Sequence, residues 1–217
     1  MSKANDRSPL FSFRYLAYDF IKITGALPGL LWFRPKILYE NKEAKKKIRG
    51  GALLIANHRG FFDPVYLQVG IWYRRHRFVC LSEFLTGPYR WLFRCFLCIP
   101  VDKKNFNFDS FRQIVDHLQK EELVVIFPEG QVNDGSGVMA QFKSGMVLMA
   151  CRSGKPIVPV YIRHKTRWYQ RLVLAVGEPV DVRGQYGAMP SLPQMEEIAA
   201  RLRQKEEYLE NMTVRRK

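Results

Sequence analysis

The chain has 217 residues, 47% of them hydrophobic and 13% aromatic, which suits one domain with a real core and excludes a disordered linker or tail. A net charge of +15 calls for an anionic partner: nucleic acid, anionic lipid or a phosphorylated substrate. Four cysteines at this length do not make a disulfide framework.

The N-terminal stretch LFSFRYLAYDFIKITGALPGLLWF, residues 10 to 33, is apolar. As one helix it would be about 36 Å long, enough to cross a bilayer. Arg14, Asp19 and Lys22 interrupt it, each at about 2.5–3.5 kcal/mol near a bilayer centre. Gly25, Pro28 and Gly29 are expected to break the helix partway. Leu10, Phe13, Ala17 and Phe20 follow helical spacing, so the expectation is a helix lying in the membrane interface, then a second short apolar segment from Leu30 to Phe33. A helix docked on the protein's own core is the competing reading. No small-residue cleavage site follows, so a signal peptide is not expected. The basic connector YENKEAKKKIRGG comes next, with Lys42, Lys45, Lys46, Lys47 and Arg49 able to add about 1 kcal/mol each on an anionic leaflet. The expected division is a membrane-association segment, residues 1–49, and an α/β domain, residues 50–217.

From there the chain alternates two periods. Strand-like runs fall at Ala52–Ala56, Phe78–Leu81, Leu97–Val101, Leu123–Phe127, Ile157–Ile162 and Leu172–Val176. Helical patterns lie between them: one after Asp109 with Phe111, Ile114, Val115 and Leu118, one through Phe142, Met146, Met149 and Ala150, and a C-terminal one with Met195, Ile198, Ala199 and Leu202. The fold class is α/β, a mixed and largely parallel sheet flanked by helices. Cys95 and Cys98 form a C-x-x-C inside the apolar run FRCFLCIP and read as buried thiols, which fits a reducing compartment.

In such folds ligand sites gather beyond the carboxyl ends of strands. His58 follows one strand-like run, and the turn PEG at 128–130 follows another. A neutral imidazole is a natural base for a hydroxyl, and a carboxylate on its other nitrogen fixes the tautomer. Asp63 can meet His58 only across a turn, for which Gly60 is the flexible point. Asp63 before Pro64 also reads as a helix N-cap, and the two roles are compatible. No G-x-S-x-G elbow accompanies the pair, so a covalent acyl-enzyme is not expected, and no metal-ligand cluster is present in the sequence.

At this point the sequence resembles a known family. NHRGFFD, residues 57 to 63, looks like the N-H-x-x-x-x-D block of glycerolipid acyltransferases of the lysophosphatidic acid acyltransferase (PlsC) type. CIPVDKK (98 to 104), FPEGQVN (127 to 133) and IVPV (157 to 160) follow in the family's order, and QFKSG (141 to 145) resembles the lysine–glycine segment after the third block. The resemblance implies transfer of a fatty acyl group from acyl-CoA or acyl-carrier protein to the hydroxyl of a lysophospholipid, first of all 1-acylglycerol-3-phosphate to give phosphatidic acid. It implies His58 as general base and Asp63 as its orienting partner. Asn57, Lys103, Glu129, Gly130 and Lys143 would place the acceptor, and Ile157 and Pro159 would line the acyl or donor site. No cofactor and no metal are implied, and nucleic acid is not an expected partner, because no nucleic-acid-binding motif is present. The expected location is the cytoplasmic face of a membrane, peripheral or monotopic. Two departures stand out. Lys103 occupies the place of the second block's arginine, and Gln131 and Val132 occupy the positions where the third block usually carries one. Lysine is a point charge and glutamine has none, so the usual bidentate hold on phosphate is missing. Either Lys103, Lys104 and Lys143 compensate, or the acceptor is another lysolipid, or the chain is a catalytically inactive lipid-binding relative.

Overall fold

The computed structural model describes residues 15–87, 90–102, 108–131, 139–163, 167 and 169–215. Helix α1 (Leu16–Phe33) leads into strand β1 (Lys36–Tyr39), and the order continues β2 (Ala52–Ala56), α2 (Asp63–Gly70), β3 (His76–Leu81), α3 (Glu83–Thr86), α4 (Arg90–Cys95) and β4 (Ile99–Val101). Then come α5 (Phe108–Gln119), β5 (Leu123–Ile126), α6 (Gly145–Ser153), β6 (Ile157–Ile162), β7 (Val173–Val176), α7 (Val182–Tyr186) and α8 (Leu192–Arg215). The strands form one seven-stranded sheet in the order β1-β7-β6-β2-β5-β3-β4, with only β6 and β7 antiparallel.

Central strands covered on both faces are continuously apolar, and β2 shows how the two faces divide. Leu53 and Ile55 join the core under α5, α6 and α8, with Ile114, Leu118, Val147 and Leu202. Ala52, Leu54 and Ala56 face the other way, onto Leu67 and Val69 of α2. The sheet begins earlier than residue 50: β1 pairs in parallel with β7 from Lys36↔Val173 to Tyr39↔Val176, so four residues of the stretch read as membrane-associated belong to the α/β core.

The helix α1 is continuous, which corrects the expected break at Gly25, Pro28 and Gly29. Proline removes one backbone bond, but tertiary packing carries the helix through it. Gly29 is where α1 crosses α2: a Cβ there would stand 3.0 Å from a Val69 methyl. Further on, Leu30 and Phe33 pack on the core, and the Phe33 ring meets Tyr66 edge-on at 5.3 Å. At the other end Asp19 is buried in a two-armed pair with Arg75, at 2.8 and 2.7 Å. The Tyr18 hydroxyl accepts from the His76 amide at 2.9 Å and donates to Gln68. Burial pushes the His76 ring down to about 3, so it is a neutral structural group. The opposite face of α1 is exposed and apolar, with Leu16, Phe20, Ile23, Leu27 and Leu31 in one stripe. Leu10 and Phe13 lie outside the described residues. Among the described residues no helix is long and apolar enough to cross a membrane.

The topology also separates two features that the sequence sets close together. The basic connector runs from the end of β1 to the start of β2, and therefore sits at the amino edge of the parallel strands. Arg74 closes that edge, donating to the carbonyls of Ile48 and Gly50. His58 lies at the opposite, carboxyl edge.

Replacing Asp19 by alanine leaves Arg75 charged and half-buried without its carboxylate, a loss of about 3–5 kcal/mol for a broken buried pair. Urea unfolding of Asp19→Ala is expected to show that loss, together with faster proteolysis between α1 and β1. A midpoint equal to wild type would show that α1 is held by packing alone.

Candidate active site

Parallel neighbours β2 and β5 pair with Ile55 opposite Ile126, so positions three residues beyond this pair are level. Those positions are His58 and Glu129. The consequence is direct contact: the His58 amide donates to Glu129 Oε1 at 3.0 Å, and the imidazole stacks on Phe127 with centroids 4.1 Å apart. Glu129 is buried, and its second oxygen accepts from the Ala140 amide at 3.0 Å.

Asp63 is brought to His58 by the turn before α2. One carboxylate oxygen, Oδ2, accepts from His58 Nδ1 at 2.9 Å, from the Arg59 amide at 2.7 Å and from the Gly60 amide at 2.8 Å. Asp63 is therefore not the N-cap expected from the sequence. It is the first residue of α2, with Phe62 before it, and its carboxylate binds the turn behind it instead of the helix amides ahead. Because a carboxylate only accepts, Nδ1 is the donor in this bond, and in a neutral imidazole that tautomer places the free lone pair on Nε2. His58 lines a cavity of about 1430 Å3.

The cavity is mostly apolar. One arm runs under α1 and α2 and along β3, past Ile21, Val65, Phe78, Phe84 and Phe93. Its polar end lies by the turn after β5. There Gly130 has φ +69, and a Cβ on it would come within 2.7 Å of the Lys143 ammonium and Cε, so glycine is required both by the backbone and by that close approach. The chain returns through a backbone bond from Lys143 to Pro128.

The structure brings together His58, Asp63, Glu129, Gly130 and Lys143. Among the other described residues, Asn57, Ile157 and Pro159 are not on the cavity wall. Asn57 is buried, with its amide spent on Ile162: Nδ2 donates to the Ile162 carbonyl at 3.1 Å and Oδ1 accepts from its amide at 2.7 Å. It ties the end of β2 to the end of β6, and this corrects its placement among the acceptor contacts. Ile157 and Pro159 lie in the fully buried β6, away from the cavity wall, because both faces of that strand are covered by core. Lys103, Lys104 and Val132 lie outside the described residues.

Other site features were invisible in the sequence reading. The cysteine that neighbours Cys98 is Cys80 of β3, not Cys95, and both line the cavity half-buried rather than sealed in the core. Their mutual hydrogen bond pushes Cys80 down and, together with burial, pushes Cys98 up. Helix α8 supplies a second polar layer. Arg59 pairs with Glu210 at 3.1 Å, and the Tyr161 hydroxyl donates to the same Glu210 oxygen at 2.6 Å. Glu206 is fully buried, and neither carboxyl oxygen has a hydrogen-bond partner among the described residues. Burial, with Glu129 beside it, drives its carboxyl well above the ordinary glutamate range. No group of three or more His, Cys, Asp or Glu among the described residues could hold a metal ion.

A sheet that sets a histidine–aspartate pair at the mouth of a long apolar cavity is the architecture of one known class. The sequence model of the Acyltransferase family matches residues 36–163, more than half of the chain, and the protein belongs to that family. A 1-acyl-sn-glycerol-3-phosphate acyltransferase of Bacillus subtilis is 24% identical over 192 residues, covering 86% of this chain and 94% of its own. The enzyme of that name from Streptococcus pneumoniae is 21% identical over 74% of this chain, which spans 62% of that relative. Glycerol-3-phosphate O-acyltransferase 2 of Saccharomyces cerevisiae is 34% identical over 92 residues, 38% of this chain and 12% of the yeast protein. Among solved structures, the 1-acyl-sn-glycerophosphate (LPA) acyltransferase PlsC of Thermotoga maritima shares the fold, with a TM-score of 0.67, 20% identity, and coverage of 94% of this chain and 84% of that one.

Glu206 yields a pH prediction. Its native carboxyl keeps a proton that the unfolded chain loses above about pH 4.3, so stability falls as pH rises through that window towards the raised native value. Glu206→Gln removes the titration. Its unfolding midpoint relative to wild type is expected to rise steadily from pH 5 to pH 8; a difference independent of pH would mean that Glu206 is charged in the native state.

Proposed function

We propose that the protein moves a fatty acyl group from an acyl thioester, acyl-CoA or acyl-carrier protein, to the free hydroxyl of a lysophospholipid. The preferred acceptor on this reading is 1-acylglycerol-3-phosphate, and the product phosphatidic acid. The observation that carries the reading is the His58 Nδ1–Asp63 Oδ2 bond of 2.9 Å at the edge of an apolar cavity large enough for an acyl chain.

The chemistry follows from the tautomer. Nε2 takes the proton of the acceptor hydroxyl as its oxygen attacks the thioester carbonyl, and Asp63 stabilises the imidazolium that forms. The C–S bond then breaks, and the imidazolium returns the proton to the departing thiolate. The direct route is favoured because neither cavity cysteine has a basic partner and, among the described residues, no serine is paired with His58. A different lysolipid acceptor is a second reading, supported by the uncharged Gln131 on the cavity wall.

For attachment, we propose that α1 lies on an anionic membrane surface. Its outward stripe from Leu16 to Leu31, together with Phe61 at 74% and Phe62 at 57% exposure beside His58, supports this. The inner face of α1 lines the cavity, so cutting the helix away would damage the site as well as release the protein.

His58→Ala is expected to lower turnover at least about 10²–10⁴-fold with folding intact. Asp63→Asn is expected to lose much of the same activity through the missing charge, since its oxygen can still accept from the Arg59 and Gly60 amides. Thioester-release assays with several lysolipids and both donor types test this, and wild-type turnover in folded His58→Ala would falsify the mechanism.

For the membrane, Phe20→Glu with Leu27→Glu leaves the buried face of α1 untouched. Flotation with phosphatidylglycerol-containing vesicles is expected to fall sharply; unchanged flotation would remove α1 from the contact.

A further inference from the structure

Helix α8 lies beyond the residues matched by the family's sequence model, yet it forms one wall of the cavity. Its lining residues are Glu196, Ala200, Arg203, Gln204 and Glu207, spaced as one face of a helix. Ile198, Leu202 and Leu209 occupy the other face, in the core. The stripe that faces the cavity is therefore polar by position, not by accident of solvent.

Three cations among the described residues line this cavity: Lys22, Lys143 and Arg203. Lys22 belongs to α1, donates to the Arg74 carbonyl at 3.1 Å, and is pushed down to about 8 by burial. It lies with the apolar arm, not with the turn beside His58. Lys143 lies against Gly130 in that turn. Arg203 is placed by its helix: one turn further on, Glu206 packs close enough to Glu129 for the two carboxyls to repel. Arg203 lines the same cavity as Gly130, Gln131 and Lys143. Its Nε is buried with no hydrogen-bond partner among the described residues, and one terminal nitrogen pairs with Glu207 at 3.1 Å. A guanidinium with an unused N–H, held by one replaceable carboxylate, is arranged to receive a second oxyanion.

We propose that Arg203 is the residue that fixes acceptor specificity: with the Lys143 ammonium it binds the phosphate monoester of the lysophospholipid, and Glu207 holds the guanidinium until that phosphate arrives. The inference rests on the acyltransferase reading above. It supplies, from a helix outside the residues matched by the family model, the fork that Gln131 cannot provide.

The experiment compares kcat/KM for 1-acylglycerol-3-phosphate and for phosphate-free monoacylglycerol at saturating acyl-CoA. In Arg203→Ala the preference for the phosphorylated acceptor is expected to fall about ten- to hundredfold, through KM, with Arg203→Lys intermediate. Glu207→Gln separates binding from scaffolding. If Arg203 binds phosphate, freeing it from Glu207 lowers the acceptor KM; if the pair is structural, Glu207→Gln harms the enzyme as Arg203→Ala does. Equal losses on both acceptors in Arg203→Ala, or a raised KM in Glu207→Gln, overturn the proposal. Calorimetric titration of 1-acylglycerol-3-phosphate in detergent micelles keeps it testable without turnover. Weaker binding to Arg203→Ala than to an inactive wild type would uphold Arg203 while sinking the acyltransferase reading, and equal binding would sink Arg203.

Discussion

The parallel pairing of β2 with β5 is the constraint on which the site depends. With Ile55 opposite Ile126, the two chains leave the sheet level with each other, one delivering His58 and the other Phe127 and Glu129. A slip of one residue would turn every side chain of β2 to the opposite face of the sheet and separate the imidazole from both partners. Because both faces of β2 are buried, such a slip would put the wrong residues into two cores at once. The edge that carries His58 is thus kept in place by packing of the two cores.

Polar costs accumulate where the sheet ends. Asp63 collects three donors on a single oxygen, and Glu129 takes two backbone amides, so both carboxylates are desolvated but satisfied. Glu206 behind them has no well-formed hydrogen bond among the described residues, and a buried carboxyl so placed is destabilising unless it stays neutral. Such a cost in an otherwise apolar core is expected next to a functional site, where the geometry of one layer is set by the layer behind it. Arg59 shows the same layering from the other side: its link to Glu210 joins the His58 turn to α8.

What could be read from the chain follows from how local each signal is. Strands β2 and β6 were legible to the residue, because continuous apolar runs bounded by turn residues are short-range patterns. Strand β1 was not: KILY is only four residues on a sheet edge, after a proline, and its pairing partner lies more than 130 positions away. The α6 pattern was read from Phe142, yet the helix begins at Gly145, since Phe142 is buried by the loop before it rather than by helical periodicity. In the site, the His58–Asp63 meeting was legible because five residues and a turn allow it, but the direction of the Asp63 carboxylate was not. Asn57, one residue before His58, looked like part of the same chemistry. Its amide instead joins two strand ends, a contact between residues 105 positions apart. The polar face of α8 carried no signal at all, since Arg203, Glu206 and Glu210 have the spacing of any solvated helix surface.

Helix α1 poses the last physical question, because it is apolar on two sides. Tyr18 and Ile21 face inward to the cavity, whereas Phe20, Ile23, Leu27 and Leu31 face outward. A helix with apolar residues on both faces needs two apolar neighbours, and the protein provides only one of them among the described residues. On the proposed reading the second neighbour is lipid. The same helix then roofs the cavity and touches the bilayer, so an acyl chain can pass from one to the other without crossing water. The basic connector cannot assist at that point, since the sheet holds it at the opposite edge from His58. On the same proposed reading its charge draws the whole molecule to an anionic surface, and the docking itself is left to the apolar stripe.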